Sequence, residues 1–175
     1  MKKLLLGISV MICISVFAQS QKQASTPKNT SPSSKQEITG WERQAEKTTI
    51  IRDTWGVPHV YGKTNADVVF GLTYARAEDE FNKMEDAYIE AIGRLAEVKG
   101  ISGLENDFLI HAFETVAVAK QELKTSSNAV RQMAISWANA LNYYLYRHPD
   151  VKPKLINRFE PWFLFAESIP CLSSS

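Results

Sequence analysis

Three histidines, one acidic run and a terminal serine cluster are the side chains here whose types and spacing point to chemistry. His111 and Glu114 lie three apart on a predicted helix, a spacing at which two ligands can meet one metal ion. No second pair completes a shell, so they read as a surface pair. His59 alternates with apolar neighbours in a predicted strand, on the opposite face from Pro58 and Val60, and reads as a buried or half-buried structural histidine. His148 precedes a proline at a predicted helix end, where a ring can meet the last free carbonyls: a capping role, not a catalytic one. The run Glu78-Asp79-Glu80 with Glu85-Asp86 is acidic enough for calcium, but a calcium loop needs alternating oxygen ligands and a glycine turn. This run sits in a helical pattern instead and reads as a solvated face. Ser173, Ser174 and Ser175 offer hydroxyls without a base. The sequence has no G-x-S-x-G elbow, no phosphate loop and no Cys/His dyad. No catalytic residue and no metal ligand is therefore assigned, and the substrate-binding residues are unknown.

The elements that must position these groups belong to an ordinary globular composition. The chain has 175 residues, 45% hydrophobic and 22% charged, enough for one domain with a core. With 20 Lys+Arg against 19 Asp+Glu, the net charge of +1 gives no reason to expect nucleic acid or an acidic membrane as a partner. Two cysteines exclude a disulfide-stapled scaffold and a Cys-rich zinc module.

Residues 1–18 read as a cleaved export signal. Lys2 and Lys3 precede an apolar stretch from Leu4 to Phe17, and Val16-Phe17-Ala18 offers small residues where a signal peptidase cuts, leaving Gln19 first. A membrane anchor is the competing reading, but the apolar run is well short of the roughly 20 residues needed to span a bilayer. Cys13 follows Ile12, where a lipoprotein site would have a small residue. The expected location is periplasmic or secreted, with no membrane attachment after cleavage. Cys171 is then the one remaining thiol, so an internal disulfide is impossible. Residues 19–47 read as a flexible linker, because Ser, Gln, Lys, Thr, Pro and Asn dominate its first part and cannot offset their ordering entropy.

Thr48–Arg52 and Val57–Tyr61, separated by Asp53-Thr54-Trp55-Gly56, predict a β-hairpin, with Pro58 at an edge or with its nitrogen facing away from the ladder. Asn65 is the predicted N-cap of a helix whose apolar stripe runs through Phe81, Met84, Tyr88, Ile92 and Leu95 and stops near Gly100. Gly71 inside it marks a break or a close approach of another backbone. Further helices are expected over Leu109–Leu123 and Asn128–Arg147, and a short turn after Pro153. Two strands do not make an independent sheet, so something else should pair with them.

One block of residues is more specific. Ile51-Arg52-Asp53, Gly56-Val57-Pro58-His59-Val60-Tyr61, Asp67, Gly71-Leu72-Thr73-Tyr74-Ala75, Glu78-Asp79, Met84-Glu85 and Gly93-Arg94-Leu95-Ala96-Glu97 with Gly100 follow in order. This compound pattern resembles the start of the α chain in the penicillin acylase family, which includes cephalosporin and acyl-homoserine lactone acylases. A weaker match runs through the Trp137 helix to Phe159-Glu160-Pro161-Trp162, so the likeness covers residues 48–162. Glu80 stands where the family usually has an arginine, and Asp86 where it has a basic residue.

The resemblance implies an α+β fold: an N-terminal hairpin followed by the mainly helical α-chain segment of a four-layer αββα N-terminal nucleophile hydrolase, present as an incomplete domain. Family members are exported precursors that cut themselves into two chains, freeing a serine at the β chain's N-terminus. That serine attacks a linear amide with its own α-amino group as base. The partners implied are the missing β chain, from the same precursor or in trans, and a small-molecule amide. Calcium binds many full-length members, but no cofactor is expected in this chain, whose sequence stops before the family's pocket and calcium segments. Residues 163–175 read as an atypical tail, from a reading frame truncated or shifted after Trp162.

The expected function is thus an N-terminal fragment of an amide hydrolase that is inactive alone. The alternative is a stand-alone secreted helical binding protein or a non-functional remnant. If Phe70, Tyr74, Phe81, Tyr88, Trp137 and Tyr144 face a missing β chain, the isolated chain should expose a large apolar surface.

Overall fold

A computed structural model describes residues 34–168. The export signal, residues 19–33, Cys171 and the terminal serines lie outside the described residues.

The first element corrects the linker expectation. Helix α1 spans Lys35–Ala45, capped by Ser34, whose hydroxyl accepts from the Glu37 amide while Glu37 returns a bond to the Ser34 amide. One large residue explains why polar composition misled. Trp41 is buried against Phe70, Ala140 and Tyr143, and its indole N–H donates to Asn139 at 3.1 Å. Ile38 and Ala45 pack against the same cluster, and Gln44 bonds Ser136, so burial of one face orders a short helix of mostly polar residues.

The hairpin forms as expected, with β1 over Thr48–Arg52 and β2 over Pro58–Gly62, paired antiparallel so that Ile50 faces Val60 and Ile51 faces His59. Thr48, Ile50, Pro58 and Val60 turn toward the following helix, while Thr49, Ile51, His59 and Tyr61 turn outward.

Helix α2 spans Asn65–Ala91. Its N-cap is Thr64 rather than Asn65. Thr64 and Asp67 form a reciprocal capping box, and Asp67 is buried there. The backbone leaves helical geometry at Glu80 (φ −150°, ψ 37°), a kink bridged by ion pairs from Glu80 to Arg76 and Lys83. The helix ends nine residues before the expected Gly100, because Gly93 (φ 70°) closes a Schellman motif: Gly93 N–H donates to Glu90 and Arg94 N–H to Ile89.

A short helix α3 (Ala96–Lys99) and a 3₁₀ turn (Gly100–Gly103) lead into α4, Leu104–Ala112. Helix α5 covers Thr115–Thr125, so the single helix expected over Leu109–Leu123 is two, broken where Glu114 takes a left-handed conformation (φ 53°). Helix α6 spans Asn128–Arg147 as predicted, capped by Ser127. An irregular stretch follows, and then α7, Phe163–Ser168. That helix corrects the tail expectation for residues 163–168, since Phe163 and Ala166 are core residues.

The core forms between α2 and α6. Phe81, Met84 and Tyr88 meet Trp137, Leu141 and Tyr144, closed at one end by Phe159 and Phe163. Edge-to-face contacts join Tyr88 to Trp137 and Phe159. The aromatic residues expected to face a missing chain therefore face one another: Phe70, Phe81, Tyr88, Trp137 and Tyr144 are buried, and Tyr74 is half-buried. The α+β expectation holds, with a hairpin on a mainly helical body.

Candidate functional site

Most of the signature residues converge where the hairpin meets the N-terminal half of α2. The turn is built by Asp53. One carboxylate oxygen accepts from the amides of Trp55 (2.9 Å) and Val57 (3.0 Å), as an Asx turn does, and the other lies 3.3 Å from His59 Nε2. Gly56 has φ 82° and donates its N–H to the Asp53 carbonyl. Partial desolvation works against ionisation of Asp53, but the amides of Val57 and Trp55 and the His59 ring together hold its carboxyl below the ordinary range.

Arg52 fastens this turn to α2. Its guanidinium makes a bidentate pair with Asp79 (3.0 and 3.1 Å) and donates to Glu78 (3.1 Å), to the Ala75 carbonyl (3.1 Å) and back to the Gly56 carbonyl (3.0 Å). Hydrogen bonds to Asp79 and then to Glu78 raise the Arg52 pKa further. At these partly exposed positions the worth of the network lies in geometry more than in charge, because its planar fork fixes the angle between hairpin and helix.

The acidic run is therefore not one solvated face. Glu78 and Asp79 hold Arg52, Glu80 bridges the kink, and Asp86 pairs with Lys154. Glu85 is fully buried, and its carboxylate accepts from the amides of Lys154 (2.9 Å), Leu155 (2.8 Å) and Ile156 (2.9 Å). Two further clamps went unread in the sequence. Asn142 exchanges both bonds with the Phe159 backbone (2.8 and 2.9 Å), and buried Asp107 accepts from the Leu95 and Ala96 amides (both 2.8 Å). Nothing in local spacing marks these, since each partner is a backbone group.

The histidines take separate places. His59 is exposed on the outer face of the hairpin, which corrects the buried or half-buried reading. His111 lies against the Gly93 carbonyl (3.1 Å) rather than pairing with Glu114. His148 ends α6 as expected, but its ring lies tilted against that of Tyr144 and meets the Tyr74 hydroxyl at 3.3 Å. Among the described residues no group of three or more His, Cys, Asp or Glu side chains is placed to hold a metal ion. The arrangement is a scaffold joint: it fixes a hairpin and presents its far side.

That far side mixes polar Thr49 and His59 with apolar groups. Ile51, Val57 and Tyr61 are exposed, and Trp55 at the tip is 89% exposed on a turn that five hydrogen bonds hold rigid. The depressed Asp53 pKa gives the joint a pH dependence. A carboxyl held low in the folded state contributes stability that is present above its unfolded pKa and is lost as pH falls through the folded one. Acidification through and below the ordinary aspartate range should free the turn, seen as lower protection of the Trp55 and Val57 amides once the intrinsic exchange rate is divided out, while Asp53→Asn should show that lower protection already at pH 7.

Residues 47–167 match the family model described as penicillin amidase, extending the likeness past Trp162 into α7. The acyl-homoserine lactone acylase QuiP of Pseudomonas fluorescens is 32% identical over 109 residues, which are 62% of this chain and 14% of that protein. Penicillin acylase 2 proenzyme of Pseudomonas sp. (strain SE83) is 28% identical over 96 residues, 55% of this chain and 12% of that protein. This chain thus spans only about one seventh of the length of such relatives. A solved thermostable penicillin G acylase chain from Alcaligenes faecalis superposes with a TM-score of 0.60 at 22% identity, covering 69% of each chain.

Proposed function

The chain belongs to the penicillin amidase family, and from that premise we propose that it is the α-chain-type N-terminal part of an exported amide hydrolase, inactive by itself. The carrying observation is that the family-matched segment folds into a clamped hairpin on α2, with an outer sheet face that exposes Ile51 and Tyr61 and that no second layer covers among the described residues. The hairpin adds its strands to those of a β chain, completing an αββα sandwich whose N-terminal serine is the nucleophile. The Arg52–Asp79 joint sets the angle at which those strands are offered. The substrate class is a linear amide of an acyl group with a small amine, supported by relatives named for acyl-homoserine lactones and for penicillin. Export is supported by Lys2, Lys3 and the apolar run to Phe17, and recovery of a periplasmic chain beginning at Gln19 tests it.

Activity is tested with a complement: the P. fluorescens relative from which the 109 matched residues are deleted. Neither polypeptide alone should hydrolyse a chromogenic N-acyl amide, and together they should. Turnover by the isolated chain, or none from the pair, would sink the reading. The closed α2–α6 core favours the second reading, a self-standing binding protein. That reading requires a monomer with a sharp two-state melt that ignores the complement.

A further inference from the structure

The family-matched segment starts at residue 47, and α1 lies wholly before it. Even so, α1 is held by the rest of the chain at three places. In its middle, Trp41 packs against Phe70 of α2 and against Ala140 and Tyr143 of α6. A line of polar bonds fixes how α1 lies on α6: the Trp41 indole N–H donates to Asn139 (3.1 Å), the Asn139 amide to Gln44 (3.4 Å), and the Gln44 amide to buried Ser136. At its start, Glu37 pairs with Arg158.

The third place is where α1 hands over to β1. Only Glu46 and Lys47 separate the two, and the Lys47 N–H donates to the Gln44 carbonyl. The Thr48 hydroxyl proton is shared between that same carbonyl (3.2 Å) and the Asp67 carbonyl of α2 (3.1 Å). Thr48 is also the residue whose methyl group rests against Gly71. Strand β1 is therefore mounted at both ends. Arg52 ties one end to Asp79, and Thr48 ties the other to α1 and α2, about 13 Å away at 3.3 Å per residue. One tie leaves a strand free to pivot about it; two fix its direction.

We infer that α1 is a strap for the hairpin and that Trp41 is a positioning residue, setting the direction of β1 through Gln44 and Thr48. The inference goes beyond the function proposed above, and only its consequence for activity rests on that reading. Thr48 does not hold the role unaided, because its hydroxyl needs the Gln44 carbonyl at a fixed place. With 11 residues, α1 is too short to stay helical without tertiary packing, and Trp41 is its one fully buried residue.

Amide exchange of the full chain tests the strap without any partner. Trp41→Ala should lower protection across residues 48–62 at least about tenfold, and leave residues 84–89, in the core beside Trp137, within about twofold of the parent. Thr48→Val keeps the shape and removes the hydroxyl. In that background Trp41→Ala should add little, since the tie it acts through is already cut. Equal losses in both backgrounds, or the same loss at residues 84–89 as at 48–62, would overturn the inference. Trp41→Phe keeps a ring in the cluster and loses the bond to Asn139, so it carries the same comparison if Trp41→Ala does not fold. With the complement, Trp41→Ala should raise the concentration needed for half-maximal hydrolysis at least about tenfold while the maximal rate is kept. A lower maximal rate at unchanged half-saturation would mean lost folded chain rather than lost direction, and would also overturn the strap. No hydrolysis from the parent pair sinks the proposed function and leaves the exchange result to decide this inference.

Discussion

Glu85→Ala should destabilise the chain by about 3–5 kcal/mol, a large share of the 5–15 kcal/mol that holds a domain of this size together. The carboxylate satisfies three consecutive amides, and the Ile156 amide is buried away from water. Each buried donor left unpaired costs about 1–3 kcal/mol, and water can recover part of that at the half-buried Lys154 and Leu155 amides. The lost side chain also leaves a void beside the backbone of Lys154 to Ile156. The damage should spread in a defined order. The segment from Val151 to Trp162 carries Phe159 into the aromatic core and leads to α7, which the Tyr88–Glu167 bond (2.7 Å) also holds. Exchange of amides 151–163 should therefore rise before α6 loosens. Glu85→Gln keeps the shape and one accepting oxygen, but sets an amide donor against a backbone donor; a loss of about 1–2 kcal/mol is expected. Asp86→Ala removes only the partly exposed pair with Lys154 and should cost at most about 0.5 kcal/mol. Urea midpoints for the three variants provide the check. A Glu85→Ala midpoint equal to that of Asp86→Ala would mean the three amides do not depend on the carboxylate.

Glu85 also shows where sequence reasoning runs out. A helical period separates an apolar stripe from a polar one, and it puts Glu85 among Glu78, Asp79 and Asp86 on composition alone. Its burial is decided by an irregular segment about 70 residues away in the chain, which carries no period. The same limit explains the aromatic stripes. Their residues were correctly singled out as apolar faces, but a stripe says that a side is covered without saying by what. Here α2 and α6 cover each other, and exposed apolar groups remain on the hairpin's outer face and on α4. Local chemistry was legible wherever the deciding partner was close in sequence. The Asp53–Gly56 turn, the antiparallel strands and the extent of α6 follow from their own residues. Helix α1 escaped because its deciding contacts are distant in sequence, that of Trp41 with Asn139 spanning 98 residues. The joint itself was visible only as a likeness: Arg52, Asp53 and Asp79 belong to the quoted block, but their mutual bonds could not be read from spacing.

Gly71 carries the second large effect, because the hairpin rests on it. A Cβ there would lie 2.3 Å from Thr48 Cγ2 and 2.6 Å from Val60 Cγ1, both far below ordinary contact. Neither neighbour can yield cheaply. Val60 is β-branched and inward on β2, and Thr48 is held by hydroxyl bonds to the Gln44 and Asp67 carbonyls. Two opposing terms set the result for Gly71→Ala. Alanine gains about 1 kcal/mol of helix propensity, and overpacking costs about 1–3 kcal/mol, so a small net loss is expected. Gly71→Leu leaves no such balance. The hairpin must lift from α2, drawing Arg52 off Asp79, while the α2–α6 core stays closed because it lies farther along the helix. The expected readout is selective: rapid proteolysis within residues 51–61, little change in helix signal, and loss of amide hydrolysis with the complement. Val60→Ala makes room at the contact, so the Gly71→Ala/Val60→Ala pair should be more stable than the two single losses summed. Strict additivity would mean that the close approach does not seat the hairpin, and that the Arg52 fork alone sets its angle.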